Sequence, residues 1–135
     1  MVGGEEKNRL IRQSQALLFP VRWHEPFGLA IIESLYLGCP VIATPYGALP
    51  EIVSNERIGR LSCQYDELAE AVRAVDQFDR RACHEHAKKY FNHLTMTDGY
   101  QQCYEKVIAG EKLNNEPPFS RAKPNNKTGL LPVTI

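Results

Sequence analysis

Glu25-Pro-Phe-Gly-Leu-Ala-Ile-Ile-Glu33-Ser34 is the stretch on which the reading of this chain turns. It lies between two short apolar runs, Ala16-Leu-Leu-Phe-Pro-Val21 and Pro40-Val-Ile-Ala-Thr44. Both runs are short and continuous rather than alternating, the pattern of a strand buried on both faces. Between them, Leu29 to Leu37 reads LAIIESLYL, apolar around most of a helical circumference. That predicts a helix buried on more than one side. Gly38 follows where a left-handed residue closes a helix. Strand, loop over 22–28, helix and strand together make the repeating unit of a parallel sheet. One carboxylate, Glu25, falls in the loop, and a second, Glu33, falls inside the apolar helix.

Working outward, Glu5 to Gln15 is mostly charged, with Leu10, Ile11 and Ser14 at helical spacing, and predicts a surface helix. Pro45 to Pro50 is a turn, and Pro50 suits the first turn of a short helix through Val53. A loop over Ser54 to Gly59 leads to a third strand over Arg60 to Cys63. Beyond it, apolar residues at 68, 69, 71, 72 and 75 predict a helix over Asp66 to Asp76. Asp79 can cap another helix through about Tyr90. A last helix is expected over Met96 to Ala109, with Tyr100, Tyr104, Val107 and Ile108 on one face. From Asn114 the composition shifts to Pro, Asn, Lys and Gly, so 114–135 is expected to be a disordered tail and 1–113 the domain. Three strands are fewer than the roughly 4–6 of an ordinary sheet. The fold class is therefore α/β, a partial Rossmann-like parallel sheet with flanking helices, resembling the back half of a doubly wound domain.

Composition narrows the function. In 135 residues Lys+Arg and Asp+Glu are both 16, so no basic surplus points to nucleic acid or an anionic membrane. No apolar run approaches the roughly 20 residues of a transmembrane helix. Met1-Val-Gly-Gly-Glu-Glu-Lys lacks a basic segment followed by an apolar core, which predicts no signal peptide. Cys39, Cys63, Cys83 and Cys103 form no Cys-x-x-Cys pair and no zinc spacing. They are expected to be reduced thiols in a cytoplasmic protein. His84 and His86 are two residues apart and do not share a helix face, so no metal site is expected.

In open parallel sheets, ligands bind beyond the carboxyl ends of the strands. The loop 22–28 and the turn 45–50 both leave strands at that end. The amides near Gly28, Leu29 and Ala30 are the donors of a helix N-terminus, which suit a diphosphate. Gly28 also lets a ligand approach the backbone. A carboxylate inside an apolar helix needs partners. For Glu33 these are either the two hydroxyls of a ribose or a cation such as Arg22 or Arg60. Glu25 precedes Pro26 and is biased to an extended conformation. It either projects toward the sugar end of a nucleotide-sugar or acts as a helix cap or solvated acid. Tyr46 to Glu51 is a second amide-rich edge or an ordinary turn. Trp23 and Phe27 read as loop anchors, and His24 as a neighbour of the loop.

These residues resemble the carboxyl-terminal domain of the group 1 retaining glycosyltransferases of the GT-B fold. Glu25 and Glu33 match that family's Glu-x7-Glu motif. Gly38-Cys-Pro-Val41 matches its strand entry, and Gly47-Ala-Leu-Pro-Glu51 its Gly-x-x-Pro-Glu turn. The match is continuous over 16–53 and weaker through about 110. The resemblance implies transfer of a hexosyl group from a nucleoside-diphosphate sugar with retention, without a metal or other cofactor. It implies that Glu25, the catalytic candidate, binds donor-sugar hydroxyls beside the amides of Phe27 and Gly28. It implies that the Leu29 and Ala30 amides face the diphosphate and that Glu33 holds the ribose. The family's basic pair on the diphosphate has no match in residues 1–15, and its acidic-Gly turn is altered in Ser54-Asn-Glu-Arg-Ile-Gly59. Its amino-terminal acceptor domain is absent, so the chain resembles a fragment needing that domain or a partner chain. The alternatives are an inert nucleotide-sugar-binding or partner-binding fragment and a GT-B-related phosphorylase.

Overall fold

A computed structural model describes residues 3–116. The elements run α1 (Gly4–Gln13), β1 (Leu17–Phe19), α2 (Leu29–Tyr36), β2 (Val41–Ala43), α3 (Leu49–Ile52), β3 (Gly59–Leu61), α4 (Tyr65–Arg73), a 3-10 turn (Val75–Gln77), α5 (Arg80–Tyr90) and α6 (His93–Ile108). The three strands form a parallel sheet in the order β1-β2-β3. Leu17 is in register with Val41, and Val41 with Gly59.

Helices cover both faces, as parallel pairing demands. On one face Ile31 and Leu35 of α2 and Cys83 and Ala87 of α5 close on Val41, Ala43, Leu49 and Ile58. Burial pushes the Cys83 thiol up to about 12, so it is a packing group and not a reactive one. On the other face the core is smaller: Ile42 meets Leu68 and Ala71 of α4, with Ala16 and Phe78 beside them. The alternation of side chains along β2 separates Val41 and Ala43 from Ile42.

The turn from α2 into β2 is built from local bonds. Gly38 has φ of 76°, the buried Ser34 hydroxyl donates to the Cys39 carbonyl at 3.1 Å, and the Cys39 amide donates to the Ser34 carbonyl at 2.9 Å. Asp79 caps α5 as expected, accepting from the Ala82 amide at 2.9 Å.

Four expectations change. β1 is not buried on both faces, because Leu18 is 55% exposed. Helix α2 is buried on one side only: Ile31, Ser34 and Leu35 point inward, while Leu29, Ala30, Glu33 and Tyr36 are exposed. β3 begins one residue early, at Gly59, where a side chain would collide with the Val41 carbonyl. Helix α6 begins at His93 rather than Met96, because Asn92 caps it by accepting from the Thr95 amide at 3.0 Å. Residues 114–116 are exposed, and the rest of the expected tail lies outside the described residues.

Candidate functional site

The carboxyl ends of β1 and β2 are tied together before any ligand is considered. The buried Thr44 hydroxyl, just past β2, donates to the Val21 carbonyl just past β1. The loops then pair: Glu25 and Gly47 form a parallel bridge, and the Ala48 amide donates to the Glu25 carbonyl at 2.9 Å. Gly47 is required there. Its φ is +68°, and a Cβ would stand 2.2 Å from the Glu25 oxygen. Gly28 is constrained by its backbone, with φ of +85°; the atom nearest a Cβ there would be the movable end of the Ile52 side chain, Cδ1 at 2.8 Å.

Gly28 is also the N-cap of α2, and its amide donates to Glu25 Oε1 at 3.1 Å. Glu25 Oε2 accepts from the Trp23 indole at 3.3 Å. The half-buried Glu25 is therefore held in one orientation by two donors, the amide of the residue that opens α2 and the Trp23 indole. The next two amides, of Leu29 and Ala30, find no acceptor among the described residues; the first bonds of the helix run from Ile31 and Ile32 to the Gly28 carbonyl. These are the orphan donors of a helix N-terminus, on exposed residues.

Glu33 stands one turn further along the exposed face of α2. It is not buried, and its cation is neither Arg22 nor Arg60. Lys7 of α1 donates to Oε1 at 2.9 Å and to Oε2 at 3.0 Å, with both side chains well exposed. Arg60 instead binds Glu56 and Glu67. No local pattern in the sequence announced Lys7, which lies 26 residues from its partner. Phe27 is 59% exposed, so it is not the packed loop anchor expected of it. Glu25, Phe27, Gly28, Leu29, Ala30 and Glu33 follow one another along the 22–28 loop and the start of α2, and the loop is paired to the 45–48 turn through Glu25 and Gly47.

A second pair at this edge also escaped the sequence reading. Cys63, just past β3, donates to the Tyr46 hydroxyl at 3.3 Å. Burial and the Cys63 contact push the Tyr46 phenol up to about 12, so it remains a neutral hydrogen-bonding group. Its ring meets His24 edge-on at 6.1 Å. Among the described residues, no cluster of three or more His, Cys, Asp or Glu side chains could hold a metal ion. No described helix is long and apolar enough to cross a membrane.

A three-stranded parallel sheet with helices on both faces and paired loops at its carboxyl edge is a partial Rossmann-like α/β domain, and the sequence comparison states its family. The family profile described as "Glycosyl transferases group 1" matches residues 2–90, and the chain belongs to that family. Among curated relatives, it is 32% identical over 100 residues to a protein of Klebsiella pneumoniae named "Uncharacterized 41.2 kDa protein in cps region". That match covers 69% of this chain and 27% of the relative. It is 35% identical over 85 residues to a "Probable sucrose-phosphate synthase" of Thermosipho melanesiensis, covering 63% of this chain and 19% of the relative. The chain thus spans about a quarter and about a fifth of these two proteins.

Proposed function

We propose that this chain is the donor-binding part of a retaining glycosyltransferase that moves a hexosyl group from a nucleoside-diphosphate sugar to an acceptor. The observation that carries the reading is the pair of unclaimed amides at Leu29 and Ala30, flanked by Glu25 before the helix tip and Glu33 one turn in.

In this reading the diphosphate sits on the α2 N-terminus, where amide donors and the helix dipole favour negative charge. The same donors stabilise the charge that develops on the leaving diphosphate, the step at which fixed dipoles contribute most to rate. Glu33 receives the ribose hydroxyls. Its bonds to Lys7 do not exhaust it, because a carboxylate offers about four acceptor sites. Lys7 holds the acid in place. Glu25 receives hydroxyls of the transferred sugar; the Gly28 amide and the Trp23 indole fix its direction beforehand. An acceptor-binding domain, as further sequence or a partner chain, completes the catalytic centre, and the whole works in the cytoplasm.

The test is calorimetry of this chain with uridine, guanosine and adenosine diphosphates in turn. One of them is expected to bind. Glu33→Ala is expected to weaken it by about 10-fold or more, the cost of an unpaired pair of ribose hydroxyl bonds. Equal binding by wild type and Glu33→Ala removes the ribose assignment. No binding by any of the three favours the second reading, an inert fragment.

A further inference from the structure

We propose that Tyr46 is a positioning residue for Glu25: it laces the two paired loops to the end of β3 and so fixes where the Glu25 carboxylate points. The consequence for the donor sugar rests on the function proposed above; the positioning itself does not.

The span that carries Glu25 is held by pairing rather than by packing. Between the buried ends Val21 and Gly28, residues 23, 24, 26 and 27 are exposed. The Glu25 carboxylate accepts from the Gly28 amide and the Trp23 indole, both donors from its own loop and the helix that follows. Its main chain reaches the neighbouring turn: it bridges to Gly47, and its carbonyl accepts from the Ala48 amide at 2.9 Å. Glu25 therefore goes where the 45–48 turn goes.

Tyr46 stands beside both of those pairing residues, and its half-buried side chain makes contacts in two directions. Toward β3, its hydroxyl accepts from the Cys63 thiol at 3.3 Å. Toward the 22–28 loop, its ring meets His24 edge-on at 6.1 Å, and the Arg22 charge acts on its phenol. The strand ends below are already tied, Thr44 to the Val21 carbonyl and the Ser62 amide to the Ala43 carbonyl at 3.0 Å. Those ties stop at residues 21, 44 and 62. Tyr46 extends the lacing to residues 24 and 63, next to Glu25 and beyond the last strand.

Such a tie matters because a binding carboxylate must be held to within about 0.5 Å by the groups behind it. The effect is selective. The Leu29 and Ala30 amides and Glu33 belong to α2, whose Ile31 and Leu35 pack in a core that does not include Tyr46. Loss of Tyr46 loosens the acid assigned to the sugar and leaves the helix tip assigned to the diphosphate in place.

Trp23 is the one tryptophan of the chain, so its indole N–H gives a single resonance that reports the Glu25 carboxylate directly. The experiment records that resonance in the isotope-labelled 135-residue chain, with Glu25→Ala defining the signal of the released indole. Tyr46→Ala is expected to move the signal most of the way to the released position and to speed its hydrogen exchange about 10-fold, the scale of one lost hydrogen bond. Tyr46→Phe, which keeps the ring and loses the Cys63 bond, is expected to move it part of the way, and it decides the matter if Tyr46→Ala does not fold. Tyr104→Ala, on the exposed face of α6, is expected to leave it unmoved. An indole signal at its wild-type position in the folded Tyr46 variants overturns the proposal. Calorimetry then compares uridine diphosphate with its glucose ester, guanosine diphosphate with its mannose ester, and adenosine diphosphate with its glucose ester. For the nucleotide that binds, Tyr46→Ala is expected to weaken the sugar ester about 5–10-fold and the plain diphosphate less than about 2-fold. Equal weakening of both, or of neither, overturns the selective effect on the sugar. If none of the six binds the wild type, the proposed function fails, and the indole signal alone decides whether Tyr46 positions Glu25.

Discussion

Helices α2 and α6 are both rich in apolar residues, and the molecule treats them in opposite ways. In α2, Ile31 and Leu35 are fully buried against the sheet and α5. In α6, a helix twice as long, no residue is buried, and Leu94, Met96, Tyr100, Tyr104, Val107 and Ile108 are each more than half exposed. The difference is tertiary, not local. Helix α2 is clamped between two strands a few residues away, so its inward face is fixed by the chain's connectivity. Helix α6 leaves the last strand far behind, and the Asn92 cap and the Thr95 hydroxyl on the Lys89 carbonyl hold its start. Apolar content alone therefore does not place a helix in a core; proximity to paired strands does.

The sharpest way to break this contrast is Leu35→Ala. A leucine with no exposure, enclosed by α5 and β2, is expected to cost about 2–5 kcal/mol. Urea denaturation measures it. A cost below 1 kcal/mol shows that the core on this face is loose. Gly47→Ala comes next. A left-handed backbone on a non-glycine residue costs about 1–3 kcal/mol, and the collision with Glu25 adds to it. The expected readout is a destabilised chain in which the Ala48 amide, released from the Glu25 carbonyl, exchanges its hydrogen much faster than in wild type. Unchanged exchange at Ala48 means the two loops are not coupled.

Much of the first contrast was legible in the sequence, and the reasons differ by region. The strands, α2, the Gly38 turn and the Asp79 cap are written in short-range patterns: apolar runs, a glycine at a helix end, an acid before a helix. The pairing of the 22–28 and 45–50 loops followed from the topology of parallel sheets. Glu33 was harder. Its apolar neighbours suggested burial, but only one face of α2 packs, and which face is solvent is decided by α1 and α5. Lys7 as its partner depended on the docking of α1, which no local pattern encodes. The exposure of Leu18 was hidden for a similar reason, because a three-residue strand is too short for its pattern to tell one covered face from two. The Asn92 cap was legible in principle, since Asn before a helix is a start signal, but His93 carries no apolar periodicity to confirm it.

A smaller effect separates binding from stability at the α2 tip. Lys7→Ala breaks an ion pair whose members are 38% and 50% exposed, so it is expected to change stability by no more than about 0–1 kcal/mol. If Glu33 serves the ribose, the same change weakens nucleoside diphosphate binding by several-fold while the melting temperature barely moves. A pair that mattered for folding would show the reverse. Asp79 gives the matching case within the packed half. The Ala82 amide first, and Arg57 second, hold its carboxyl below the ordinary value of 3.8. The stability it contributes is present above that value and is lost as pH falls through the lower folded one. Asp79→Asn keeps a capping oxygen but cannot titrate. Its acid unfolding limb is expected to be shallower than that of wild type, and identical limbs would remove Asp79 from the acid response.

The weakest expected effect tests the other helix. Ile108 is 86% exposed near the end of α6. Replacing it with Ser removes almost no buried area, so stability is expected to hold within about 0.5 kcal/mol. The apolar face of α6 has neighbours at 100, 104, 107 and 108, the spacing of one stripe. If that stripe were pressed against the body of the chain in solution, Ile108→Ser and Tyr104→Ala would each lower the denaturant midpoint, and their effects would not add, because they would share one contact. Additive, near-zero changes place α6 outside the cooperative core. A solution of this chain would then be expected to unfold in two separable stages, fraying of α6 first and the α2–α5 face last.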